Sequence, residues 1–335
     1  MPEIRRVLLT GATGFIGTHL YSGLIESGFA VVSGSRDPER AQRKYRGRAF
    51  VRLDLNDYHS LLKAMEGCQA AVYLVHSMAE GPGYEEQEQR AAMTFARAAE
   101  QAGLQRIVYL GGIQPQGVPS RHLRSRLRTG ELLRSSRVST IELQAAMVIG
   151  PASESWRIVR DLAARLPLMV LPRWLESRSQ PVYIDDVTAA IRHALTLDVQ
   201  GSAAFALPGP ETLSAREILQ RTARLMGLEP PMVQLPVITP RLSAYWISLV
   251  TRANSNISRQ LVEGLRTDLV AADEGFWKFM PEHRRVPFDE AARRALYAEA
   301  QRLPLRARLT EWLLHRFTPA HEKQLDKSGA SGATL

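Results

Sequence analysis

Residues 4–26 restrict the fold more than any other part of this chain. An apolar run, Ile4 to Leu9, leads into Gly-Ala-Thr-Gly-Phe-Ile-Gly at 11–17 and then into an amphipathic stretch reaching Glu26. That order reads as strand, glycine turn, helix. Each glycine answers a steric demand: Gly11 permits the tight turn, Gly14 lets a ligand approach the main chain, and Gly17 lets the helix close on the strand. A turn of this kind offers main-chain N–H groups and a helix amino terminus to an anion, which points to a pyrophosphate. The spacing is GxxGxxG, so the flanking strand and helix carry more of the argument than the motif does.

The alternation continues downstream. Phe29 to Val32, Ala49 to Leu53, Ala70 to Val75, Arg106 to Leu110 and Thr140 to Leu143 read as strands. Asp57 to Met65, Tyr84 to Gln101 and Pro119 to Ser135 read as helices, and Asp37-Pro38 marks another helix start. Strands alternating with helices predict an α/β fold: a doubly wound parallel sheet covered on both faces and joined by right-handed crossovers. After Gly150-Pro151 the alternation weakens and Pro and Gly become the punctuation. The expected division is a Rossmann domain over 1–150, a smaller, mainly helical substrate region over 151–318 interleaved with that core, and a loose tail over 319–335. In the second region Ser214 and Glu217 spell a capping box ahead of a helix to Met226. Further helical patterns lie at Ser243 to Val250, Ser255 to Leu265, Asp289 to Ala298 and Leu305 to Arg316.

Composition narrows the setting. With 45% hydrophobic and 23% charged residues the chain falls among ordinary globular proteins. A single cysteine, Cys68, excludes an internal disulfide framework, argues against a thiolate metal cage, and suits a reducing compartment, so a cytoplasmic location is expected. The opening strand pattern lacks the form of a secretory signal, and the most apolar later segments, Leu166 to Leu171 and Ala244 to Val250, are far short of the ~20 residues of a membrane span. The net charge of +9 attracts anions in general. Its densest stretches, Arg36 to Arg48 and Arg121 to Arg128, read as solvated basic surface. No zinc-finger or RNA-binding aromatic pattern accompanies them, so a small-molecule substrate is expected and nucleic acid is not. Peripheral membrane contact and a homodimer are both compatible with this surface.

Several residues follow from the turn. Thr13, Phe15 and Ile16 belong to the glycine segment itself. Cofactor choice is read after the second strand, where an acidic residue suits the ribose hydroxyl of NAD(H) and an arginine the 2′-phosphate of NADP(H). Here the sequence is Ser33-Gly34-Ser35-Arg36, and a planar guanidinium grips a phosphate bidentately, so NADP(H) is favoured. NAD(H) is the alternative if Asp37 makes the choice. Asp54 sits where it can accept from the adenine amino group or cap a helix, a task open to Asp57 as well. Val75, His76, Ser77 and Met78 follow the fourth strand and either line the cleft or form a plain loop. Trp156, Trp174, Tyr183, Trp246 and Trp277 either wall an apolar pocket or fill the core. Asp185 and Asp186 are expected to cap the helix that begins there.

With these motifs the chain resembles the short-chain dehydrogenase/reductase superfamily in its extended and atypical, NmrA-like branch. Gly11 to Gly17 resembles the family's glycine motif, and Asp54-Leu55 its adenine-side pair. Pro181-Val182-Tyr183-Ile184-Asp185-Asp186-Val187 is similar to the family's His-Val-Asp-Asp-Val segment, and Phe205 to Ser214 to the stretch ahead of a substrate-domain helix. The resemblance implies that Met147, Gly150 and Ser153 lie near the nicotinamide, with core packing the alternative for Met147. It also implies a Tyr-x-x-x-Lys pair on the helix after the fifth strand, where this chain has His122-Leu123-Arg124-Ser125-Arg126. His122 and Arg126 keep the spacing and share a helix face. Gly111 or Gly112 stands where the family has Ser or Thr. The form His-Leu-Arg-Ser-Arg resembles a bacterial subgroup of atypical members known only for binding NAD(P). Two functions are therefore open: hydride transfer to or from a small hydrophobic carbonyl, alkene or quinone-like substrate, with His122 or a water as proton source and Arg126 on the ribose, or a non-catalytic NADP(H) sensor or scaffold that acts through a protein partner.

Overall fold

The computed structural model describes residues 4–75, 83–115, 117–165, 169–171, 176–234 and 267–302. Its centre is a seven-stranded parallel sheet formed by β1 (Arg6–Leu9), β2 (Ala30–Ser35), β3 (Phe50–Arg52), β4 (Ala70–Tyr73), β5 (Arg106–Gly112), β6 (Ser139–Ala145) and, from far downstream, β11 (Ala203–Ala206). The spatial order is β11-β6-β5-β4-β1-β2-β3. Every pairing in this sheet is parallel, so each connection is a crossover. α1 (Phe15–Glu26), α2 (Pro38–Lys44), α3 (Tyr58–Met65), α4 (Tyr84–Gln101) and α5 (Arg121–Arg134) make five of these.

The apolar runs are apolar on both faces because both faces are covered. Val7, Leu9, Ala70, Val72, Val108 and Leu110 pack on the side that carries α1 and α7 (Ile184–Thr196). Leu8, Ala71, Tyr73, Ile107 and Tyr109, one residue out of phase, pack on the side of α3 and α4. In α4 the buried Ala91, Ala92, Phe95, Ala96, Ala98 and Ala99 give a stripe of small residues around one large ring, so the helix sits close to the sheet.

Past β6 the chain forms β7 (Val148–Ile149), α6 (Glu154–Arg165), β8 (Met169–Leu171), β9 (Arg178–Ser179), β10 (Val182–Tyr183), β12 (Leu213–Ser214), α8 (Ala215–Leu225), β13 (Met232–Gln234), a 3-10 turn (Gly275–Phe279) and α9 (Phe288–Arg302). Trp156, Tyr183, Ile184, Leu213, Ile218, Phe288 and Ala292 form a separate apolar cluster here. Charge pairs fasten it. Arg221 meets Glu211 at 2.6 Å and Asp289 at 2.8 Å, and Arg160 meets Glu299 at 2.7 Å. The capping box at Ser214 and Glu217 forms as the spacing predicts.

The helix starting after β10 departs from expectation. Its N-cap is Tyr183, which makes no side-chain cap, and Asp185 and Asp186 lie inside the first turn. Asp186 is 1% exposed and accepts from His283 Nε2 at 2.8 Å and from the Val286 amide at 3.0 Å, so it fastens the 283–286 loop instead of capping. The ring of His283 stacks on Trp277, whose indole N–H donates to the Pro208 carbonyl at 2.7 Å. The helical patterns at Ser243 to Val250, Ser255 to Leu265 and Leu305 to Arg316, and the tail, lie outside the described residues. Among the described residues no helix is long and apolar enough to cross a membrane.

Candidate dinucleotide site

Strand order reverses between β1 and β4, and ligands of open parallel sheets bind in the crevice at such a point. Thr10 ties the two strand ends together: its hydroxyl donates to the Val72 carbonyl at 3.1 Å and accepts from the Leu74 amide at 3.0 Å. The glycine turn then leaves β1. Gly11 has φ +62°, and a Cβ there would lie 3.1 Å from the Leu74 carbonyl oxygen. At Gly17 a Cβ would press on the Gly11 carbonyl and lie 2.9 Å from Ala12 Cα. Only hydrogen fits, which is why helix and turn can approach this closely.

The amino terminus of α1 differs from those of its neighbours. Asp37 caps α2, Asp57 caps α3, Ser120 caps α5 and Ser214 caps α8. α4 and α7 lack side-chain caps but carry Glu85 and Glu86, or Asp185 and Asp186, in the first turn. α1 starts at Gly14 with neither a side-chain cap nor an acidic residue. Its first amides and its positive dipole end therefore face outward with no acid from the chain's own helix to answer them. This cradle fits a dinucleotide diphosphate.

The other expected residues are distributed around it. Thr13 and Gly14 are exposed, and Phe15 and Ile16 are partly buried against the third apolar cluster. Arg36 is exposed immediately beyond β2. Asp57 caps α3, leaving Asp54 half-buried with Oδ1 accepting the Asn56 amide at 3.0 Å. Leu55 is a core residue and Val75 packs at its edge. His76, Ser77 and Met78 lie outside the described residues, as do Trp174 and Trp246. Trp156 and Trp277 are core side chains, 0% and 4% exposed.

Beside the crevice, the carboxyl end of β5 meets α5. The Arg126 guanidinium donates from Nη2 to the Leu110 carbonyl at 2.6 Å, and the Arg126 carbonyl accepts from the Tyr109 hydroxyl at 3.1 Å. His122 lies one turn earlier and is half-buried. Tyr109 is no proton carrier near neutrality, because burial pushes it up to about 12 despite the nearby Arg126 charge. Gly111 and Gly112 are filled from outside. A Cβ at 111 would lie 2.5 Å from Glu142 Oε1, and one at 112 would lie 2.5 Å from Leu123 Cδ1. Glu142 is fully buried, paired with Arg134 and bonded by Gln144 Nε2 at 3.1 Å. Ala152 holds φ +77° in the turn that leads from β7 into α6.

Sequence reasoning missed the support behind the turn. The Tyr45 hydroxyl donates to the Thr13 carbonyl at 3.1 Å, and Arg48 Nη2 donates to the Ala12 carbonyl at 3.2 Å. Arg48 was to be solvated surface; it is 9% exposed. The available signal was its position directly ahead of the apolar strand β3.

Fold and cradle together define a dinucleotide-binding Rossmann protein. Residues 11–160 match the family model described as NAD(P)H-binding, and this part of the chain is an NAD(P)-binding Rossmann domain. The ceramide reductase of Caulobacter vibrioides is 25% identical over 234 residues, which cover 69% of this chain and 73% of that protein. Two solved structures share the fold. The triphenylmethane reductase of a Citrobacter species superposes with TM-score 0.68 at 18% identity, covering 87% of this chain and 99% of its own. The Escherichia coli NADPH-dependent quinone oxidoreductase, complexed with NADPH, gives 0.67 at 17% identity, covering 85% and 98%. These neighbours share the Rossmann fold.

Proposed function

We propose that the protein is an NADP(H)-dependent oxidoreductase acting on a small hydrophobic carbonyl, alkene or quinone-like substrate in the cytoplasm. The observation that carries this is the uncapped, acid-free start of α1 on a glycine turn, inside the segment that matches NAD(P)H-binding proteins. The nicotinamide supplies hydride chemistry when bound. The chain's own residues bind and orient. The Thr13 amide and those of Phe15 to Gly17 hold the diphosphate, Arg36 grips the 2′-phosphate, and Asp54 accepts from the adenine. Arg126, already at the β5 end, holds ribose hydroxyls, and His122 on the same helix face gives or takes the substrate proton. The names of the similar proteins pair a reductase with ceramide, triphenylmethane or quinone, all largely apolar.

A second reading, a non-catalytic NADP(H) sensor or scaffold, is favoured by the filled space at Gly111 and Gly112, which leaves no room for a serine hydroxyl. One assay separates the two. NADPH deuterated at C4 is incubated with the protein and a panel of carbonyls, alkenes and quinones. Deuterium in a product supports the enzyme; binding without transfer to any of them supports the sensor. His122→Ala lowers turnover by about 100-fold if this side chain moves the proton, and unchanged turnover removes it from that role.

A further inference from the structure

One arginine of the basic stretch behaves unlike the rest. Arg36, Arg40, Arg43 and Arg46 are exposed, whereas Arg48 is 9% exposed. Its guanidinium carbon lies 3.8 Å from the centroid of the Tyr21 ring and 5.3 Å from those of Tyr45 and Phe50. Aromatic faces attract a cation but do not neutralise it. No carboxylate among the described residues pairs with it, and its buried Nε has no hydrogen-bond acceptor. Burial pushes its pKa down, the expected cost of an uncompensated charge.

What this cation touches is the glycine turn. Arg48 holds the Ala12 carbonyl, and Tyr45 holds the Thr13 carbonyl on the same side. In a planar trans peptide the C=O and N–H point opposite ways. Fastening the Ala12 carbonyl inward therefore turns the Thr13 N–H outward, away from Arg48. The next amide is already used, since the Gly14 N–H donates to the Gly11 carbonyl at 2.9 Å. The Thr13 amide donates to nothing among the described residues, and Thr13 is exposed.

We infer that Arg48 is a positioning residue of the dinucleotide site: with Tyr45 it fixes the turn so that the Thr13 amide faces the diphosphate, and its buried charge is the diphosphate's counter-charge from behind the turn. The inference rests on the dinucleotide reading above and divides the work between two arginines. Arg36 distinguishes the 2′-phosphate, while Arg48 acts on the diphosphate common to NADPH and NADH.

The test is calorimetric titration of the full chain and its Arg48→Met variant with NADPH, NADH, ADP and adenosine, at low and high salt. Met keeps an unbranched stem among the rings and removes charge and donors. NADPH, NADH and ADP should each weaken by about tenfold, the size of one charge-assisted contact. Adenosine should be unchanged, and the salt dependence of ADP binding should become shallower. Arg48→Lys, which restores charge without the planar fork, should recover part of the loss. Tyr45→Phe removes a single hydroxyl and gives a second measure should Arg48→Met not fold; it should weaken the same three ligands by about threefold. NADH and ADP affinities within twofold of the parent overturn the inference while leaving the dinucleotide reading intact. A loss confined to NADPH, or one shared equally by adenosine, also overturns it. If the parent chain binds neither NADPH nor NADH at millimolar concentration, the dinucleotide reading falls and takes the inference with it.

Discussion

Placing a serine at Gly111, where the family that the sequence resembles is expected to carry Ser or Thr, should damage this protein. In Gly111→Ser the new Cβ lies 2.5 Å from Glu142 Oε1 and 3.1 Å from Tyr109 Cε1. The first distance is about 1 Å short of an ordinary contact. Glu142 cannot swing aside easily, being fully buried, paired with Arg134 and bonded by Gln144. Either the core expands, at about 1–3 kcal/mol, or the carboxylate leaves its partner, at about 3–5 kcal/mol. A net loss of about 2–4 kcal/mol corresponds to a Tm lower by roughly 3–6 °C for a chain of this size. Thermal unfolding by circular dichroism reads the shift directly. Glu142→Ala opens the space, so the double variant should be more stable than the sum of the singles by at least about 1 kcal/mol. A Tm for Gly111→Ser within a degree of the parent, or strictly additive effects, would refute the argument that Glu142 fills the place of the missing hydroxyl.

Three further outcomes follow from the same geometry. Arg36→Asp should weaken NADPH by at least about tenfold with little effect on NADH; equal losses by fluorescence titration would mean the 2′-phosphate is read elsewhere. Gly17→Ala forces a Cβ against the Gly11 carbonyl and Ala12, so it should abolish measurable dinucleotide binding and lower stability by about 1–3 kcal/mol; retained affinity would contradict the close approach of turn and helix. Glu217 is held below its ordinary value of 4.5 by the Ser214 amide and hydroxyl. Its contribution is therefore complete above that value and fades as the pH falls through the lowered one. Glu217→Gln should lower Tm at pH 7 and flatten its decline between about pH 5 and pH 3; parallel Tm curves for variant and parent would exclude the carboxylate's part in the cap.

The capping box and the start of α2 were legible because both are local: Ser214 and Glu217, or Asp37 and Pro38, meet within one turn whatever the rest of the chain does. Asp185 and Asp186 looked equally local and misled. Their helix starts at Ile184 after the N-cap Tyr183, and the role of Asp186 comes from His283 and Val286, roughly a hundred residues on. Arg48 misled in the other direction. A charge among charges reads as surface, and only the convergence of Tyr21, Tyr45 and Phe50 shows it buried.

By itself the sequence determined the alternating strands and helices, the glycine turn and the parallel sheet, since periodicity and glycine sterics act between neighbours. Tertiary structure alone decided that residues 203–206 supply the seventh strand, that Gly111 is closed by Glu142, and that a buried arginine stands behind the turn. Each of these depends on side chains brought together from distant parts of the chain, and packing between distant residues leaves no local pattern to read.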